Sequence, residues 1–222
     1  MNSAAPCQGI GTNRAHAGIE ALLFDVGGIL IEIDFARAFA AWAAASGTAA
    51  EAIAARFRFD EDYAAHERGE ISAVEYFDSL RRSLRIDLTD EQFLCGWNAI
   101  FLHEADGARS VLRAAGKTHP LYVFSNTCEA HRQYWMPRYE ELLRPFAKLF
   151  LSSQIGLRKP SPEAFACVAR QIGAAASRIA FFDDSPENVA GAQAAGLIAF
   201  CVRSPAQALA ILRNELHIGH AP

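Results

Sequence analysis

The chain has 222 residues, 51% hydrophobic and 21% charged, with 21 Lys+Arg against 25 Asp+Glu for a formal net charge of −4. That is the balance of a globular protein with a sizeable core, and the slight acidic excess argues against a nucleic-acid binder. No apolar run reaches the ~18–20 residues that span a bilayer, so no membrane partner is expected. The five cysteines (Cys7, Cys95, Cys128, Cys167 and Cys201) are scattered and never form Cys-x-x-Cys. They predict reduced thiols in a cytoplasmic protein rather than a disulfide or zinc framework.

Residues 1–18 show neither helical nor strand periodicity and are expected to form a flexible leader. The run Ile19–Phe24 then predicts a buried strand ending at Asp25-Val26-Gly27-Gly28. Between residues 34 and 103 only helices are expected. Asp34 opens an alanine-rich run that stops at Gly47, and Thr48 opens another. Ser72-x-x-Glu75 and Thr89-x-x-Gln92 have the form of capping boxes opening two more amphipathic helices. Roughly 70 helical residues are too many for one crossover between neighbouring strands, so they predict an all-helical domain inserted over the sheet.

From residue 104 onward, strand-like and helix-like stretches alternate. Strands are expected at Leu121–Phe124, Lys148–Leu151, Ile179–Phe182 and Leu197–Val202. Ser161-Pro162-Glu163 and Ser185-Pro186-Glu187 read as helix starts, and Gly173 and Gly196 as helix ends. Such alternation predicts an α/β fold with a doubly wound, Rossmann-like parallel sheet. Residues 19–33 and 104–222 would form this core, and residues 34–103 the inserted helical cap.

Ligands of such sheets bind beyond the carboxyl ends of the strands. The first strand delivers Asp25 there, the second Ser125-Asn126-Thr127, and the fourth Asp183-Asp184; Lys159 follows the third. Neighbouring acids repel by about 4 kcal/mol per pair at 4 Å and an effective dielectric of 20. An oxygen-rich cluster beside an anionic substrate calls for a hard cation, Mg²⁺. Asp25, Asp184 and a backbone carbonyl are the expected ligands. Lys159 and Ser125 would then bind phosphate, and Asp25 would attack phosphorus.

The ordered set Phe24-Asp25-x-Gly27, Ser125-Asn126-Thr127, Arg158-Lys159-Pro160 and Phe182-Asp183-Asp184-x-x-x-Asn188 resembles the four motifs of the haloacid dehalogenase superfamily. His66-Glu67-Arg68-Gly69-Glu70-Ile71-Ser72, Gly96–Phe101 and Leu151–Pro160 are similar to its bacterial alpha-D-glucose-1-phosphate phosphatase branch. The resemblance runs from about residue 19 to residue 203. It implies Asp25 as nucleophile, Ser125 and Lys159 on the phosphate, Mg²⁺ at Asp184 with Asp183 close by, and Asn126 and Asn188 as ordering residues. It also implies a cap that closes over the substrate, a small-molecule phosphate ester.

The position two residues after the nucleophile carries a second Asp in most phosphatases of that superfamily, and here it is Gly27. Its carbonyl can reach a metal, but it has no proton to give. A general acid contributes about 10²–10⁴-fold, or about 3–5 kcal/mol. An anomeric phosphate needs less of that help, which favours a sugar 1-phosphate such as glucose 1-phosphate. Alternatively, Glu32 or Asp34 serves as a surrogate acid. His66 and Arg68 are candidates to contact substrate from the cap, and His131, Tyr134 and Trp135 to line the pocket. Two other functions fit the same motifs: a 2-haloacid dehalogenase, whose Asp25 needs no metal, and a binding protein without turnover. His217-Ile218-Gly219-His220 mimics a nucleotidyl-transfer signature, but no strand follows it.

Overall fold

The computed structural model describes residues 18–219. The leader expected over residues 1–18 thus lies, apart from Gly18, outside the described residues, as does His220. The chain begins with β1 (Ala21–Phe24) and β2 (Ile31–Ile33). Five helices follow: α1 (Phe35–Ser46), α2 (Ala50–Arg56), α3 (Glu61–Arg68), α4 (Ala73–Leu84) and α5 (Asp90–Asn98). Then come β3 (Phe101–Glu104), α6 (Ala108–Ala115), β4 (Leu121–Ser125), α7 (Glu129–Arg138) and α8 (Glu140–Leu143). The remainder is β5 (Phe146–Leu151), α9 (Ser152–Ile155), α10 (Pro162–Ile172), β6 (Ile179–Asp183), α11 (Pro186–Ala194), β7 (Ile198–Cys201) and α12 (Pro205–Asn214).

Five strands form one parallel sheet in the order β5-β4-β1-β6-β7. Each central strand is buried on both faces, so it reads as an unbroken apolar run. Leu22 and Phe24 of β1 join one core with Val111 and Leu112 of α6 and Leu212 of α12. Ala21 and Leu23 face the other way, into a core with Phe165 and Val168 of α10. The sheet is therefore doubly wound. Its strand order reverses between β1 and β6, and the crevice at such a reversal is where these sheets bind ligands.

The helices between β1 and β3 have a hydrophobic core of their own, with Trp42, Phe77, Phe93 and Trp97 at its centre. Both capping boxes form: Ser72 with Glu75, and Thr89 with Gln92. Asp34 caps α1 by accepting from Ala36 N, and Gly47 ends it at φ 71°.

Three local expectations change. Residues 34–103 are not all helical, because Phe101–Glu104 pairs antiparallel with Ile31–Ile33. The two strands are too short to show a clear alternation in sequence, and the boundary drawn at 103 falls inside β3. Thr48 does not cap α2: Ala49 holds that position without a side-chain bond. Ser161 stands at the start of α10, but its hydroxyl bonds the Glu163 carboxylate instead of a backbone amide.

Candidate active site

Asp25 follows β1 directly, and its amide continues the ladder by donating to Phe182 O at 2.9 Å. The chain then turns sharply. Val26 N donates to Asp25 Oδ1 at 2.7 Å, and the amides of Leu30 and Ile31 both return to Val26 O. This turn needs Gly28 at φ +77°, and a β-carbon there would lie 2.3 Å from Asp184 Oδ2. The pair of glycines after Asp25 was the available signal for that close approach, which the sequence reading passed over.

Asp183 and Asp184 stand at the end of β6 and just beyond it, across the crevice from Asp25. Ligand atoms of Asp25, Asp183 and Asp184 all lie within 4.8 Å of one another. Lys159 enters from the loop before α10 and is 1% exposed, its ammonium 2.8 Å from Asp25 Oδ1 and 2.6 Å from Asp183 Oδ2. The rings of Phe124 and Phe181 flank it at 5.6 and 5.5 Å. Asn126 fixes the lysine backbone from both sides: its Nδ2 donates to Lys159 O and its Oδ1 accepts from Lys159 N, each at 2.9 Å.

One ammonium does not balance three carboxylates. Burial pushes the Asp25 carboxyl up to about 7, with Lys159 opposing and Asp183 and Asp184 adding to the rise. Asp184 is raised as well, first by burial and then by Asp183. Burial alone would lower the Lys159 ammonium, yet Asp183 and Asp25 together hold it above the ordinary lysine value. A cluster with this surplus of negative charge fits a hard divalent cation among oxygen donors.

The four acidic and carbonyl positions are not equivalent. Both oxygens of Asp183 are already engaged, by Lys159, by Ser185 N at 2.8 Å, and by Asn188 Nδ2 at 2.9 and 3.1 Å. Asp183 is thus fixed in place by Lys159, Ser185 N and Asn188 together. The Asp184 carboxylate takes a hydrogen bond from its own backbone amide, while Asp25 Oδ2 and the Gly27 carbonyl have no hydrogen-bond partner among the described residues. The Ser125 side chain, buried at the end of β4, likewise has no hydrogen-bond partner among the described residues.

Other expected positions lie apart from this cluster. His66 is buried in the cap, stacked on Tyr76 at 4.7 Å, with Nδ1 3.3 Å from Ile71 O. It lines a cavity of about 850 Å³ with Phe77, Leu94, Asn98 and Tyr134, which includes none of the acidic cluster. Arg68 forks onto Glu61 and Glu70 at the cap surface. Among the described residues, neither has a member of the acidic cluster as a hydrogen-bond or ion-pair partner. Trp135 is core, with its indole donating to Thr127 Oγ1 at 3.2 Å, and His131 is buried against Trp97. Cys128 is a buried thiol pushed up to about 11, so it is inert. Asp34 is committed to its helix cap, while Glu32 is half-buried on β2.

A family model described as haloacid dehalogenase-like hydrolase matches residues 19–196. The chain belongs to that family. This haloacid dehalogenase-like hydrolase is 26% identical over 181 residues to a D-ribitol-5-phosphate phosphatase of Bacteroides thetaiotaomicron, covering 77% of the chain and 85% of the relative. It also superposes with a TM-score of 0.71 and 26% identity on a family enzyme from Bacteroides thetaiotaomicron, solved in complex with magnesium and inorganic phosphate. That match covers 83% of this chain and 94% of the other. A HAD-like hydrolase of Porphyromonas gingivalis shares the fold at a TM-score of 0.70 and 23% identity, over 83% of this chain and 91% of that one. No helix among the described residues is long and apolar enough to cross a membrane.

Proposed function

We propose that this hydrolase is a Mg²⁺-dependent phosphatase of small sugar or polyol phosphates, working through an aspartyl-phosphate on Asp25. The observation that carries this reading is Lys159, buried between Asp25 and Asp183 with Asp184 alongside. Such a cluster, with acids enough for a divalent cation, suits a phosphate ester better than a metal-free halide displacement, which has no use for Asp184. The phosphatase relative and the magnesium–phosphate complex of a structural neighbour support it.

In this reading Lys159 and Val26 N hold Asp25 Oδ1, which leaves Oδ2 to form a bond to phosphorus as the ester P–O bond breaks. The departing alkoxide takes its proton from water, because Gly27 offers none. A second water then attacks phosphorus, inorganic phosphate leaves, and the Asp25 carboxylate is regenerated. Ser125 and Lys159 bind the phosphoryl oxygens. Asp25, Asp184 and the Gly27 carbonyl would hold Mg²⁺, with Asp183 and Asn188 beside them; the ion supplies the charge neutralisation an anionic substrate needs against these acids.

Because leaving-group protonation is unaided, esters with better leaving groups are favoured, glucose 1-phosphate among them. A screen of phosphate release across sugar 1-, 5- and 6-phosphates and ribitol 5-phosphate, with and without Mg²⁺, tests this. The reading expects Mg²⁺-dependent release with 1-phosphates foremost. Release of halide from a 2-haloacid in EDTA, without phosphate release, would overturn it.

A further inference from the structure

An ion pair, buried on its acid side, joins the inserted helices to the loops that carry Ser125 and Lys159. Glu67 of α3 has a side chain only 8% exposed. Arg158, the residue before Lys159, donates from Nε to its Oε2 at 2.8 Å, and its Nη2 lies 2.8 Å from the same oxygen. The Tyr63 hydroxyl donates to Oε1, also at 2.8 Å. The Glu67 backbone is tied down too: its carbonyl accepts from Ser152 Oγ at 2.7 Å, and that serine hydroxyl in turn accepts from Thr127 N at 2.8 Å. Two residues on, a β-carbon at Gly69 would stand 2.7 Å from Ser153 O, so α3 ends in direct backbone contact with α9.

These contacts converge on the two loops that carry Ser125 and Lys159. Ser152 grips the first through Thr127, and Arg158 belongs to the second. The reciprocal Asn126–Lys159 bonds then lock the loops to each other. One residue of α3 is therefore linked to both halves of the phosphate cradle, to one directly through Arg158 and to the other through Ser152. In the motif His66-Glu67-Arg68 it is the acid, and neither basic neighbour, that pairs with Arg158.

We propose that Glu67 is a positioning residue, which through Arg158 and Ser152 sets the spacing of the Ser125 and Lys159 loops. Seating of α3 and alignment of the phosphate cradle are then one event. The inference rests on the phosphatase reading for its kinetic consequence, but its structural half stands alone. Displacing reactive groups by about 1 Å can lower turnover about 10²-fold, and a loosened cradle is expected to act on that scale.

The test uses the full chain with Mg²⁺, comparing Glu67→Gln, Arg158→Gln and the double variant, with Asp78→Asn as a control for an exposed cap ion pair. Turnover per folded molecule should fall about 100-fold in each single variant, and the double variant should be no worse. Amide hydrogen exchange should accelerate in both residues 125–128 and residues 152–160. The control should match the parent protein. Turnover within twofold of the parent for either single variant would overturn the proposal, as would faster exchange confined to α3. If Glu67→Gln does not fold, Arg158→Gln, altered at a more exposed position, decides alone. If the parent protein hydrolyses no phosphate ester, the functional reading fails; exchange in the two loops still decides the positioning claim.

Discussion

Gly28 and Asp184 are packed so closely that a β-carbon on the glycine would stand 2.3 Å from the carboxylate oxygen Oδ2. The contact joins the turn after β1 to the turn after β6, and with it the Asp25 loop to the acid on the opposite side of the crevice. The glycine serves two needs here, a φ of +77° and an absent side chain.

Gly28→Ala should therefore displace the Asp184 carboxylate, the flexible partner in the clash. The left-handed backbone adds about 1–2 kcal/mol of destabilisation. Mg²⁺ affinity should fall about tenfold or more, equivalent to about 1.4 kcal/mol, as read by calorimetric titration. Unchanged affinity would show that Asp184 is not a ligand.

Lys159→Gln leaves Asp25 and Asp183 buried without their shared ammonium. Breaking a buried pair on one side costs about 3–5 kcal/mol, so denaturant unfolding should show a loss of that order. Added Mg²⁺ should recover part of it, since a cation among the acids replaces some of the missing charge. A stability equal to the parent protein would mean that the cluster is solvated rather than buried.

The imidazole of His131 carries the clearest pH signal away from the acids. Burial pushes it down to about 3, against the hydrogen bond to Trp97 O that would raise it. The unfolded chain, near 6.5, binds a proton that the folded chain refuses, so this contribution is complete above pH 6.5 and shrinks as pH falls toward 3. At about 1.4 kcal/mol per pH unit, the parent protein should lose about 2 kcal/mol more than His131→Gln between pH 6.5 and 5. Parallel stability curves for the two proteins would rule this out.

Much of the architecture was legible because it is written in residue types with local consequences. The β1 run, both capping boxes and the left-handed Gly47 and Gly173 are each dictated within a few residues. The acids of the crevice were legible because each follows directly on an apolar strand. The β2–β3 pair was not, since two short strands separated by five helices reveal their pairing only in space. Thr48 misled because a good capping residue adjoined an alanine helix that starts without one. Asp184 was the expected ligand with Asp183 close by, but these identical neighbours do not display in sequence what holds Asp183 in place. Asn188, one helical turn later, and the buried Lys159 help to hold it, and both contacts form only in space.

Asp25 carries the central step of the proposed reaction. Phosphate release by Asp25→Asn, assayed with Mg²⁺ beside the parent protein on a sugar 1-phosphate, is the decisive measurement. The variant should keep its cooperative unfolding while release falls by at least about 10³-fold. A folded Asp25→Asn protein that releases phosphate at the parent rate would contradict the assignment of the nucleophile.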